Sequence, residues 1–362
     1  MSALPAFINP LRFALAKDRY LFADAFIADD HLVLVSTFYP DLVVSFADVR
    51  VVVDGVPVTT FEEIAYNEYE PVRVVRYPVP TLPGAHPYHT LSITYGERTL
   101  TARLTPDASE PKPTLALATL FKHDAINVEL CYRYYRAQGF QRFYFFYNGD
   151  LNRLATPLPR GPDIVYGSWP FSYWIPRGSP AFNTLLLDPQ AAHNKHHAQA
   201  MFLSMVRYRF LRRSSFLALV DLDELLHAPG ETLATHLART NPPQISAPNH
   251  WAALTPPRPL PRLRGQLTRT AHRIARYLGA PIPPRRVSLA DVATIHANPN
   301  STGHERMKTI YRGDFAGHFA VHIAKAPDSP VVSDALRLYH LVDTAHARHT
   351  QIAPDARPVR LL

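Results

Sequence analysis

The segment FLALVDLDELLH, from Phe216 to His227, constrains the fold of this chain more than any other stretch. Its five apolar residues, FLALV, predict a buried strand. Asp221, Asp223 and Glu224 follow that strand without an intervening turn residue. Carboxylates are almost never buried unless a cation or a hydrogen-bond donor pairs with them. The strand is therefore expected to end at a polar edge where these acids meet a cation.

Two patterns of hydrophobic spacing divide the chain. Up to about residue 107 the spacing has period two, and Asp54-Gly55 and Gly96 mark hairpin turns, which predicts a small antiparallel all-β module. The polar segment 107–114 contains two prolines and predicts a linker. Strands then alternate with helices, which predicts an α/β domain whose sheet is mostly parallel and binds ligands at the carboxyl ends of its strands.

Capping residues locate two helices in this second part. Asp124 or Asn127 can cap a helix that runs through Gln138 and ends at Gly139. Asp188-Pro189 predicts the start of a longer helix. We interpret the apolar face of that helix as core and not as a cofactor site; it consists of Ala198, Met201, Phe202, Met205 and Val206.

Composition limits the cellular context and the classes of site. The single cysteine, Cys131, excludes an intramolecular disulfide and a cysteine-based zinc site. No segment approaches the roughly 18 apolar residues of a membrane span, and the N-terminus lacks a signal-peptide pattern. We therefore expect a soluble, cytoplasmic protein. The net charge of +8 favours polyanionic partners, although a GC-rich genome would also produce an arginine-rich composition.

The spacing of Asp221 and Asp223 suggests a metal site. On an extended strand end, residues two apart project from one face, so both carboxylates could reach one cation. Mg²⁺ and Mn²⁺ suit carboxylate ligands and share coordination with phosphate oxygens. A salt-bridged or helix-capping acidic cluster is the alternative, because a D-x-D pattern by itself is common.

Four segments together resemble glycosyltransferase family 92 and its bacterial family 2-like relatives. The first segments are TLFKHDAINVELCYRYYRAQGFQRFYFFYNGD, which includes a Lys-Asn-Glu-like turn, and HHAQAMFLSMVRYRFLRRSSFLALVDLDELLHAP, with a glutamine-bearing helix before the D-x-D strand. RMKTIYRGDFAGHFAVHIAKAP and LRLYHLV are similar to the lysine- and histidine-containing segments near the family's C-terminus. The likeness covers residues 114–345. Two departures are that Lys122-His123-Asp124 replaces Lys-Asn-Glu and that proline-rich sequence follows Trp251, so a galactose donor is not inherited.

The resemblance implies a GT-A fold, in which an α/β domain uses Mn²⁺ or Mg²⁺ to transfer a sugar from a nucleotide-sugar donor. We predict an N-terminal antiparallel β module over residues 1–110, a GT-A domain over 111–350 and a C-terminal tail over 351–362. The predicted reaction moves a hexose from a nucleotide sugar, with UDP-sugar as the first choice, to a glycan or other hydroxyl acceptor with inversion.

The same resemblance assigns roles to individual residues. It implies metal binding by Asp221, Asp223 and His340, and diphosphate binding by Lys308. A carboxylate would deprotonate the acceptor; Glu305 is the first candidate, and Asp314 and Asp328 are the others. The remaining donor-binding candidates are Lys122, Asp124, Asn148 and Gln199, and Asp221 would also meet the donor.

Three other classes of function remain open. His193 and His197 have the spacing of a zinc-binding helix pair, but Asn194 stands where a metalloprotease has Glu. A metal-dependent nucleotidyltransferase or phosphohydrolase would also use clustered aspartates. The third class is a non-catalytic carbohydrate-binding protein on an inert GT-A scaffold.

One predicted partner, a membrane surface, differs from the nucleotide-sugar donor and the glycan acceptor. The basic amphipathic helix 264–278 is a candidate contact with lipid headgroups, which would make the protein peripheral to a membrane, although a solvated face is the simpler explanation. No known nucleic-acid-binding module is present in the sequence, so nucleic acid is not expected as a partner.

Overall fold

The computed structural model describes most of the chain. The described residues are 6–16, 19–37, 44–66, 72–79, 87–105, 115–122, 124–172, 197–254, 286–301, 307–317, 319, 333, 335–342, 352–353 and 355–362. Within them the protein is a mixed α/β structure with several antiparallel sheets and two mixed sheets that contain parallel strands. Glu305, Asp328, His193 and the basic helix 264–278 lie outside the described residues.

The first third of the chain forms antiparallel strands, as the period-two spacing predicts. One sheet has the order β4-β5-β9-β8, a second has the order β11-β10-β6-β7, and β2 pairs with β3. Asp54 and Gly55 both have positive φ in the β6–β7 turn, which confirms that hairpin. The strands are β1 (Ala6–Ile8), β2 (Phe13–Ala16), β3 (Arg19–Phe22), β4 (Asp24–Ala28), β5 (His31–Thr37), β6 (Arg50–Val53), β7 (Val56–Val58), β8 (Glu62–Tyr66), β9 (Val72–Pro78), β10 (His89–Tyr95) and β11 (Arg98–Leu104).

The largest sheet has seven strands in the order β1-β14-β13-β12-β15-β20-β17. Neighbours from β1 to β15 pair in parallel, but β20 is antiparallel to both of its neighbours, so the sheet is mixed. Strand β1, which lies within the predicted N-terminal module, pairs with β14 in this sheet instead. The new strands are β12 (Leu115–Phe121), β13 (Arg142–Tyr147), β14 (Ile164–Ser168), β15 (Phe216–Leu219), β17 (Gln244–Ala247) and β20 (Lys308–Arg312).

A second sheet of five strands lies beside the first and was not predicted. Its order is β16-β21-β18-β19-β22. Strands β16, β18 and β21 each follow a strand of the seven-stranded sheet, so the chain enters the second sheet three times. Residues of the predicted C-terminal tail form its last strand. The strands are β16 (Glu224–His227), β18 (Asn249–Ala253), β19 (Thr294–Ala297), β21 (Arg337–Leu341) and β22 (Arg357–Arg360).

Three α-helices occur among the described residues. Helix α1 (Val128–Ala137) begins after Asn127 and is followed by Gly139 with φ of 93°, as its capping residues predict. Helix α2 is described from His197 to Phe210, so the predicted start at Asp188 falls outside the described residues. Helix α3 (Leu233–Thr240) ends at Asn241, which is left-handed. No helix in these regions is long and apolar enough to cross a membrane.

Helix α2 packs between the N-terminal sheet and the seven-stranded sheet. One hydrophobic cluster joins Phe26 and Val74 of the former to Phe146 and Leu217 of the latter through the helix. The predicted core face of the helix is confirmed, because its Ala, Met, Phe and Val residues are buried in this cluster.

A buried ion pair lies at the same interface. Asp24 of β4 accepts hydrogen bonds from the amides of Leu11 and Ala25 and from Nη1 of Arg209 at 3.2 Å, and its exposed fraction is 1%. Burial raises the pKa of Asp24 to about 6, although Arg209 and the amide donors act in the opposite direction. A carboxyl group whose pKa is raised on folding stabilises the folded state as pH falls, because the folded protein then binds a proton that the unfolded chain does not.

We predict that Asp24→Asn lowers the free energy of unfolding more at pH 5 than at pH 8. Between pH 8 and pH 5 the native protein gains about 1.4 kcal/mol from protonation of Asp24, and the variant lacks this gain. Urea unfolding of both proteins at the two pH values measures the difference. Asp29→Asn is the matched control, since Asp29 forms an exposed salt bridge with Arg212. A difference between Asp24→Asn and the native protein that grows at pH 8 would contradict this assignment.

Candidate active site at the junction of the two sheets

The carboxyl ends of parallel strands bring several predicted residues to one edge of the seven-stranded sheet. Lys122 and Asp124 follow β12, Asn148 follows β13, and Asp221 lies just beyond β15. Strand β20 is antiparallel to β15, so its first residue, Lys308, lies at this same edge. Ligands of open α/β sheets bind outside this kind of edge.

The three acids occupy a turn where the chain leaves one sheet for the other. Strand β15 ends at Leu219 and β16 begins at Glu224. The carbonyl of Asp221 accepts a hydrogen bond from the amide of Glu224 at 3.1 Å. The predicted extended D-x-D was therefore wrong: Asp221 and Asp223 lie in a tight turn, because the chain must change direction to enter the second sheet. We call Asp221 to Glu224 the acidic turn.

Lys308 is the cation that two of these acids meet. Its Nζ lies 2.9 Å from Oδ2 of Asp221 and 3.2 Å from Oε2 of Glu224. The Lys308 side chain is 5% exposed, and Glu224 is equally enclosed, whereas the Asp221 side chain is 40% exposed. Lys308 therefore has one enclosed partner, Glu224, and one half-exposed partner, Asp221. Of these two carboxylates, only Asp221 is readily available to a ligand.

His340 supplies the second basic group, from the other sheet. Its Nε2 lies 3.1 Å from Oδ2 of Asp223, and its Nδ1 lies 3.7 Å from Oε1 of Glu224. The ring of Trp251 packs against the imidazole with centroids 4.5 Å apart. Glu224 and His340 are also paired residues of β16 and β21, so backbone register fixes their proximity.

The ammonium of Lys308, which faces two carboxylates, affects the protonation of both Lys308 and Glu224. Burial raises the pKa of Glu224 to about 7, and Asp221 and Asp223 add to this rise, while Lys308 and His340 oppose it. Burial acts to lower the pKa of Lys308, but Asp221 and Glu224 outweigh that effect and raise it. Because one ammonium faces two carboxylates, Lys308 keeps its proton.

Asp124 belongs to the same electrostatic environment. Enclosure by the protein, together with the neighbouring carboxylates of Asp223 and Asp221, raises its pKa to about 7. Its Oδ1 accepts a hydrogen bond from the amide of Lys122 at 3.4 Å, while the Lys122 residue itself is exposed. The site is thus acidic in spite of the positive charge of the whole chain.

Two predicted donor-binding residues, Asn148 and Gln199, are buried. The Nδ2 of Asn148 donates to the carbonyls of Trp169 and Phe171, both at 2.9 Å, and ties together the segments after β13 and β14. Its Oδ1 is buried without a hydrogen-bond partner among the described residues. Gln199 is 9% exposed on α2.

The structure separates one candidate base from the site. Lys308 is the first of the five residues of β20, whereas Asp314 lies beyond the last one, Arg312. Each strand residue rises roughly 3.3 Å, so the two side chains lie at opposite ends of the strand. Both Asp314 oxygens accept hydrogen bonds from Arg312, at 2.7 and 3.0 Å, which lowers the Asp314 pKa. Asp314 is therefore excluded as the base at this edge.

The donor atoms of Asp223 and His340 suit a hard divalent ion. Oδ2 of Asp223 and Nε2 of His340 form a hydrogen bond at 3.1 Å, and an ion would take the place of the proton that they share. No group of three or more His, Cys, Asp or Glu side chains in the described part of the chain is arranged to hold a metal. Mg²⁺-type sites commonly use one or two carboxylates and complete their shell with water and substrate phosphates. The residues present therefore fit an ion that is shared with a phosphate ligand.

Comparisons with known proteins add no further assignment. No protein-family model matches the chain, and no curated protein shows significant sequence similarity to it. The likeness to glycosyltransferase family 92 therefore stays a prediction based on the quoted segments.

We predict that Lys308→Met lowers the free energy of unfolding by about 3–5 kcal/mol at pH 8, because it leaves buried carboxylates without their cation. The loss should be smaller at pH 6. A carboxyl with a raised pKa, such as Glu224, becomes protonated there in the folded state and needs no counter-charge. Urea unfolding at pH 6, 7 and 8 measures this trend. Lys122→Met, at an exposed lysine, should change stability by less than about 0.5 kcal/mol at each pH. A loss that is constant across this range would rule out the buried pair.

Proposed function

We propose that this protein is a metal-dependent glycosyltransferase. It moves a hexose from a nucleotide sugar, with UDP-sugar as the first choice, to a hydroxyl of a glycan or other acceptor, with inversion, on a GT-A scaffold. The observation that carries the proposal is the acidic turn at the carboxyl edge of the sheet, flanked by Lys308 and His340. The four segments that resemble glycosyltransferase family 92 supply the reaction class.

The charge of the site makes metal dependence a requirement of this proposal. A nucleoside diphosphate would meet Asp124, Asp221 and Asp223 at this edge, and like charges repel. Mn²⁺ or Mg²⁺ held by Asp223 and His340, and by Asp221 on its open side, would offset that repulsion and the negative charge of the departing diphosphate. The ammonium of Lys308 adds fixed positive charge at the same place.

The remaining residues keep the roles that the resemblance implies. Donor binding involves Lys122, Asp124, Asn148 and Gln199. Two of these residues, Lys122 and Asp124, lie next to the acidic turn along the sheet edge. Glu305 is the proposed base for the acceptor hydroxyl. The proposed location is cytoplasmic, with the helix 264–278 as the contact with a membrane surface.

We predict that a nucleotide sugar stabilises the protein against thermal unfolding only when Mn²⁺ is present. A ligand at 100 times its Kd stabilises by about 2.7 kcal/mol. A thermal-shift screen of UDP-, GDP- and dTDP-sugars with and without Mn²⁺ measures this. Asp223→Asn should abolish the shift, and Asp314→Asn, at the opposite end of β20, should retain it. The absence of any shift with all three donors would contradict the proposal.

Product analysis separates the alternatives. Sugar transfer releases a nucleoside diphosphate, whereas nucleotidyl transfer releases pyrophosphate. Activity that survives zinc-selective chelation and requires Mn²⁺ excludes a zinc hydrolase. An Asp223→Asn variant that keeps the full biological function would instead indicate a non-catalytic binding protein.

A further inference from the structure

We infer that Glu224 is a positioning residue that holds Lys308 and His340 in place and allows Asp221 to leave Lys308 for a ligand. This inference rests on the proposed function, since it assigns Asp221 to the donor or its metal. In the sequence Glu224 is a third acid after the strand, and neither the D-x-D spacing nor the family resemblance gives it a role.

Glu224 lies too deep to contact a substrate. It is 2% exposed. Its Oε2 accepts from the amide of Asp221 at 2.8 Å and from Nζ of Lys308 at 3.2 Å, and its Oε1 lies 3.7 Å from Nδ1 of His340. One carboxylate therefore contacts the backbone of the acidic turn and both basic groups.

Those two basic groups belong to different sheets. Lys308 begins β20 of the seven-stranded sheet, and His340 lies on β21 of the five-stranded sheet. Glu224 is the first residue after the crossing, and its own carbonyl accepts from the hydroxyl of Tyr135, at 2.9 Å, on helix α1. Because the backbone of Glu224 is held by both α1 and β21, its side chain can fix the relative positions of Lys308 and His340.

Charge gives Glu224 its second role. If Asp221 were the counter-ion of Lys308 by itself, turning Asp221 towards a ligand would leave a buried ammonium unpaired, which is strongly unfavourable. Glu224 stays against Lys308 in either case. The half-exposed Asp221 can therefore exchange its partner while the enclosed Glu224 keeps Lys308 paired. A glutamine would keep the shape of Glu224 but lose the charge that both basic groups face.

The ring of Trp251 offers a readout of His340 that does not depend on activity. An imidazole in contact with an indole quenches its fluorescence, and these rings lie 4.5 Å apart. The chain has three tryptophans. Subtracting the emission of the same protein with Trp251→Phe isolates the contribution of Trp251.

We predict that Glu224→Gln increases the fluorescence emission of Trp251, because His340 loses its fixed position. The same variant should weaken Mn²⁺ binding by about 10–100-fold, which is the usual effect of removing a residue that orients a metal ligand. Electron paramagnetic resonance of free Mn²⁺ measures the binding. The matched control is Glu231→Gln. Glu231 also accepts from a histidine and a cation, His236 at 2.9 Å and Arg239 at 2.6 Å, but lies after β16. Glu231→Gln should leave both the Trp251 emission and the Mn²⁺ affinity unchanged.

The outcomes separate this inference from the proposed function. If the native protein binds Mn²⁺ and nucleotide sugar and Glu224→Gln does so equally well with unchanged Trp251 emission, the inference is wrong and the function stands. If the native protein binds neither, the function fails, and Trp251 emission still decides whether Glu224 positions His340. Should Glu224→Gln not fold, Glu224→Gln combined with Lys308→Met removes both buried charges. Its Trp251 emission should then exceed that of Lys308→Met, and equal emission would overturn the inference.

Discussion

The ammonium of Lys308 between Asp221 and Glu224 is the interaction on which the arrangement of the two sheets depends. Lys308 and Asp221 are 87 residues apart in the chain, and their contact forms only when β15, β16 and β20 are all in place. A buried charge tolerates little displacement of its partners, because the cost of removing it from water is offset only at close range. The crossing between the sheets is therefore fixed by charge as well as by backbone hydrogen bonds.

The site is acidic within a basic chain, and this contrast bears on what it can bind. The net charge of +8 describes the whole sequence, yet Asp124, Asp221 and Asp223 act on one another at the sheet edge. A polyanion that approaches the protein through its general field would be repelled at this edge unless a cation came with it. The net charge of the chain thus predicts attraction to phosphates, but it does not predict which groups of the site would bind them.

Local sequence signals predicted the elements that depend on neighbouring residues. The Asp54-Gly55 turn, the ends of α1 and the strand before Asp221 all follow from residues close in the chain. The five-stranded sheet, the pairing of β1 and the role of Glu224 could not be predicted in this way. Each depends on partners far away, as in the pairing of Glu224 with His340. The extended geometry expected for D-x-D failed for the same reason, since the second sheet redirects the chain.

The N-terminal strands cover one side of helix α2. Helix α2 has apolar residues against both the N-terminal sheet and the seven-stranded sheet, so removing the first sheet would expose one side of the helix. Helix α2 leads through Ser214 into β15, and β15 leads into the acidic turn. Gly313 packs against this connection so closely that a Cβ there would lie 2.1 Å from the carbonyl oxygen of Ser214. The N-terminal sheet therefore helps to set the position of Asp221 through the helix it covers.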